Sequence, residues 1–133
     1  AIDLEMGVRG GAVLDSLAHL AMRRGDSDAA LDLWRASLTE RREIGDLLGC
    51  VHLVGSLAMA AHRLGQPERA IRLYAARTAH RAQMGLSLLP SDDLEAQRDV
   101  AALRARLGDA AEALWRDGGT MSMEQTIAYA LEE

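Results

Sequence analysis

Residues 23–34 read RRGDSDAALDLW, and residues 63–74 read RLGQPERAIRLY. The two stretches lie forty residues apart and share one skeleton: Arg, a spacer, Gly, four residues, Ala, an aliphatic, a spacer, Leu and a large aromatic. The same offset pairs Leu14 with Val54, Leu17 with Leu57, Ala18 with Ala58 and Ala21 with Ala61. Further on it pairs Leu33 with Leu73, Trp34 with Tyr74, Arg41 with Arg81 and Gly45 with Gly85. So many matches in one register, with large and small residues kept in place, mark an internal repeat. A weaker third copy follows at an offset of 43, where Arg106, Gly108 and Ala113 match Arg63, Gly65 and Ala70. Beyond Ala113 the match stops, because the place of Tyr74 falls on Asp117.

Each copy reads as a pair of helices. Leu14, Leu17, Ala18 and Ala21 stand at i, i+3, i+4 and i+7, which is one face of a helix. Gly25, Gly65 and Gly108 end the first helices, where a left-handed residue is least costly for glycine. Second helices start near Asp26, Pro67 and Asp109, and Pro67 suits a first turn because its missing N–H is not needed there. Gly45 and Gly85 close the second helices. Pro90 then breaks the chain, and Ser91-Asp92-Asp93 offers an N-cap and an acidic first turn. Gly118-Gly119 breaks it again before Ser122 and Gln125, a capping-box pair for a last helix from Met123 to Leu131.

These signals predict one helical-repeat domain over residues 1–133. Repeat 1 spans 8–46, repeat 2 spans 47–86, a partial repeat 3 spans 91–119, and a capping helix over 121–133 covers the open end of the array. Met6-Gly7 matches Ile44-Gly45 and Met84-Gly85, so residues 1–7 read as the tail of an earlier unit's second helix. The chain reads as a piece of a longer protein.

Composition agrees with helices. Apolar residues are 49% of the chain but aromatics only 3%; Ala and Leu, good helix formers, carry most of the apolar mass. A chain of 133 residues buries about 68% of its unfolded surface, enough for one core. All fifteen basic residues are Arg, and the net charge is −5, which argues against direct binding of nucleic acid. The single cysteine, Cys50, allows no internal disulfide and suits a reducing cytoplasm. No apolar run is long enough to span a bilayer, and the N-terminus lacks signal-peptide character.

The repeat skeleton resembles the tetratricopeptide repeat. Leu14, Leu17, Ala18, Ala21, Ala30, Trp34 and Ser37 hold the family's marker places in the first unit. Val54, Leu57, Ala58, Ala61, Ala70, Tyr74 and Arg77 hold them in the second. The period is about forty rather than the family's usual 34, and glycines replace the usual proline after the second helix. The resemblance implies an all-α fold of antiparallel helix pairs stacked as a right-handed superhelix, with the first helices lining a concave groove. The segment LGDAAEALWRDGGTMSMEQTIAYALEE, residues 107–133, looks like the end of the helical-repeat region in LuxR-type regulators and related ATPases of the STAND class. That likeness implies a non-catalytic, partner-binding or ligand-sensing arm of a cytoplasmic bacterial transcriptional regulator, acting on neighbouring domains of its parent. The alternative is a standalone scaffold or self-association module, with a homodimer formed through exposed repeat ends near Ile2, Leu4 and Met6.

No cofactor or metal site is expected. A phosphate-binding loop needs a lysine that this chain lacks. His19, His52, His62 and His80 show no HxxxH spacing, and Cys50 and His52 point to different helical faces. No set of nucleophile, base and acid can be assembled from spacing, so the chain is read as no enzyme. MSMEQTIAYAL carries no basic residue and reads as the capping helix rather than a DNA-reading one.

One pattern suggests a binding surface. Arg23, Arg63 and Arg106 each stand two residues before the glycine that closes a first helix. By repeat position, Asp15, His19, Met22 and Arg23 face the groove from unit one. His52, Gly55, Met59, His62 and Arg63 face it from unit two; Arg98, Ala102 and Arg106 from unit three. Such a row of arginines, histidines and methionines suits an acidic or C-terminal peptide. An arginine in a last helical turn is also favoured by the helix dipole alone.

Overall fold

The computed structural model describes the backbone of residues 2–86 and 93–132, and side chains from Val13 onward. Among these residues the fold is all-α, with seven helices and no strand. They are α1 (Ile2–Arg23), α2 (Ser27–Ile44), α3 (Leu47–Arg63), α4 (Pro67–Gln83), α5 (Leu94–Leu107), α6 (Ala110–Gly119) and α7 (Met123–Leu131). None of them is long and apolar enough to cross a membrane.

Four helix ends close alike. Gly25, Gly45, Gly65 and Gly85 stand twenty residues apart with φ from 73° to 83°. At each, the next amide reaches back to the carbonyl five residues earlier: Asp26 to Ala21, Asp46 to Arg41, Gln66 to Ala61 and Leu86 to Arg81, all at 2.9 Å. Glycine takes this left-handed turn without steric penalty. New helices then start on local caps. Asp26 accepts from the Ala29 amide, Asp46 from that of Gly49, and Pro67 occupies a first turn. Ser122 and Gln125 exchange side-chain-to-amide bonds at 2.9 and 3.0 Å.

Short connections fold the first four helices into two pairs, α1 on α2 and α3 on α4, and α2 joins them by packing on α3. Ala18, Ala30, Ala58 and Ala70 are fully buried, so the helices approach closely; Trp34 and Tyr74 fill the space between them. α7 lies across α2, α3 and α4. Arg69 holds its end by donating to the carbonyls of Tyr129, Ala130 and Glu132 at 3.0, 3.1 and 2.7 Å.

The chain departs from its sequence reading at several points. α1 runs unbroken through Gly7. Residues 2–7 are therefore its first turns, not the tail of another helix. Gly45 is followed by a capping aspartate, whereas the sequence after Gly7 is Val8-Arg9, neither of them an N-cap residue type. α6, by contrast, ends at Gly119, where the sequence places the break. A methyl group at Gly118 would overlap the backbone carbonyl of Arg72, so this glycine, in the last turn of α6, also seats that helix on α4.

The third unit is not a hairpin like the others. α6 packs mainly on α4 and only lightly on α5. Its junction differs too, since Gly108 has φ 59° and ψ −129° and its amide bonds to Arg104. Asp93 takes the N-cap position of α5, but its carboxylate caps no amide there; it grips Arg77 instead. Pro90, Ser91 and Asp92, and the side chains of Ile2, Leu4 and Met6, lie outside the described residues.

Candidate binding groove

Asp15, His19 and Arg23 follow one another at four-residue steps along α1, so they share a face. Opposite them, α3 presents His52, Gly55, Met59 and Arg63. The two rows meet at Asp15. The Trp34 indole N–H donates to Asp15 Oδ1 at 2.8 Å. His52 Nε2 lies 3.4 Å from Oδ2, and His19 Nε2 lies 3.6 Å from Oδ1. The His19 ring also meets Trp34 edge-on, with centroids 5.1 Å apart. The hydrogen bond from His52, then that from Trp34 and the nearby histidine charges, hold the Asp15 carboxyl below its ordinary range against the opposing effect of burial.

Unit two rebuilds this node from different residues. The repeat partner of Asp15 is Gly55, and the partner of Ser37 is Arg77. The space left by the missing side chain at Gly55 is taken by the Arg77 stem; a methyl there would stand 2.8 Å from Cδ. Arg77 then reaches both Asp93 oxygens, at 2.9 and 3.1 Å. Tyr74, the partner of Trp34, donates its hydroxyl to Asp99 at 2.6 Å, and His62 Nε2 lies 3.8 Å from the other Asp99 oxygen. Burial and the Asp99 carboxylate push the Tyr74 phenol far above its ordinary range, so it remains a donor. Each unit thus ties its core aromatic to an aspartate that also meets a histidine.

A cleft formed by Ser16, His19 and Arg23 with Met59, Arg63 and Glu95 continues the row toward α5. Arg63 donates to Glu95 at 2.8 Å, an exposed pair worth little to stability. Arg23 makes no ion pair among the described residues. The structure therefore brings together His19, Arg23, His52, Met59 and Arg63. It does not bring in the rest of the predicted row. Met22 is as buried as Met59 but, unlike it, lines neither cleft; it meets the Ser27 hydroxyl instead. His62 turns toward Asp99 between α3 and α5. Arg98 and Arg106 are exposed on α5 and line none of these clefts.

The sequence reading also missed a recess of about 600 Å³ between α4, α5 and α6, lined in part by Arg81, Val100, Arg104 and Trp115. Arg104 lies over the Trp115 ring at 4.9 Å. Trp115 has no counterpart at its repeat position, so the period could not flag it. Elsewhere, Cys50 is fully buried, and that burial, with Asp46 nearby, pushes its thiol up to about 11. A thiol so placed is neither ionised at neutral pH nor open to a substrate. Among the described residues, no three His, Cys, Asp or Glu side chains are grouped to hold a metal ion.

Comparison with protein-family models, with curated proteins and with solved structures gives no match for this chain.

Proposed function

We propose that this chain is a tetratricopeptide-like binding module whose groove between α1 and α3 takes an acidic peptide segment. One observation carries the reading: His19, Arg23, His52, Met59 and Arg63, from two helices, line adjoining clefts. These clefts offer guanidinium and imidazole donors beside a methionine, while the aspartate between the histidines is already engaged. Arginine forks bind carboxylates through charge-assisted hydrogen bonds, and methionine adapts to varied apolar partners. Stacking of the two pairs as turns of a right-handed superhelix fits the twenty-residue spacing of their four closing glycines. The likeness of residues 107–133 to the end of LuxR-type repeat regions supports a place in the arm of a cytoplasmic regulator. There the module would hold a partner rather than turn over a substrate.

The test is a titration of the chain with a fluorescent hexapeptide of Asp, Glu and Leu bearing a free C-terminal carboxylate. Saturable binding that weakens with salt is expected, since exposed charges are screened. Arg23→Ala with Arg63→Ala should weaken it several-fold, and unchanged binding by that double variant contradicts the proposal.

A further inference from the structure

The outer face of α1 carries three large exposed apolar side chains, Val13, Leu17 and Leu20, at 58%, 46% and 37% exposure. They stand at i, i+4 and i+7 and form one stripe, and none of them lines the groove. A stripe of this kind on a folded helix marks a contact surface.

The repeat itself says what covers it. The partners of Val13, Leu17 and Leu20 in unit two are Leu53, Leu57 and Ala60, which are only 3%, 3% and 0% exposed. α2 covers that face of α3. Leu57 and Ala61 share a cleft with Leu31 and Arg35 from the start of α2. Leu53 and Gly49 share one with Ser37 and Arg41 from its end, and a methyl at Gly49 would stand 3.1 Å from the Arg41 stem. α2 therefore crosses α3 antiparallel, presenting Leu31 and Arg41 to opposite ends of the stripe. In unit one the same stripe is present, and among the described residues no helix covers it.

We infer that the Val13–Leu17–Leu20 face of α1 is a docking site for an amphipathic helix of the α2 kind, lying antiparallel to α1 and supplied by a partner. A second copy of this chain is a poor source. Its two helices of that kind, α2 and α4, already bury their apolar residues, Ala30, Trp34 and Leu38 in one and Ala70, Ile71 and Leu73 in the other.

The test uses the full chain and a labelled peptide of residues 27–44, stapled between the exposed positions Asp32 and Ala36 so that it enters as a helix. One saturable site is expected. Leu17→Glu, and separately Val13→Glu, should weaken it by about tenfold or more, the scale of one lost buried aliphatic contact. Val13 is the more exposed, so its variant guards against misfolding at Leu17, and thermal melts verify both. A Leu31→Glu peptide should bind as weakly. No binding to the unaltered chain overturns the inference, as does binding that neither substitution changes. A concentration-dependent dimer in sedimentation, abolished by the same substitutions, assigns the face to a second copy and also overturns it.

Discussion

Asp15 and Gly55 occupy equivalent places in the two repeats and do opposite things. Asp15 supplies a carboxylate that Trp34, His19 and His52 share. Gly55 supplies space that Arg77 enters. Asp15→Asn should cost about 1 kcal/mol at neutral pH, since an ionised acceptor is replaced by a neutral one. Because the folded Asp15 titrates below the ordinary aspartate range, its contribution is complete above that range and fades as pH falls through the lower folded value. Melts of the two proteins should therefore differ at pH 7 and converge in strong acid. Cores read easily from the repeat: Ala18, Ala30, Trp34, Ala58, Ala70 and Tyr74 are repeat matches and are buried. The groove read less well. Arg23 and Arg63 came from the repeated skeleton, but Met22 is three residues from His19 and shares its helical face on spacing alone. Only packing against α2 shows that it turns into the core.

At the scale of elements, local chemistry was legible and glycine was ambiguous. The Ser122–Gln125 box and the Asp26 and Pro67 starts depend on neighbours in sequence, so spacing finds them. Gly118 marks the end of α6 in sequence as in structure, but its second use, closeness to Arg72, depends on a helix far along the chain and is not legible there. Gly118→Ala tests this: overlap with a backbone carbonyl should destabilise the fold by about 2–3 kcal/mol in urea unfolding, against about none for Gly119→Ala, where space is open. Ser122→Ala removes an N-cap and should cost about 1 kcal/mol, seen as faster amide exchange confined to α7. Arg69→Ala should loosen the same helix from its other end, because three carbonyls lose their donor.

At the scale of the whole molecule, two regular helix pairs carry a third unit that follows other rules. The sequence match fades after Ala113, and there α6 leaves α5 for α4. The predicted row of arginines stops earlier, since Arg98 and Arg106 on α5 line neither cleft. The proposed binding surface is thereby confined to α1 and α3, with the recess beside Trp115 as its rival. Methionine methyl resonances separate the two most directly. Met59 lines the groove, Met22 is buried beneath it, and no methionine lines the Trp115 recess. In a titration with the acidic hexapeptide, the Met59 methyl and the His19 and His52 ring signals should shift together and saturate. Shifts confined to Trp115 and Val100, with Met59 unmoved, would contradict binding in the groove.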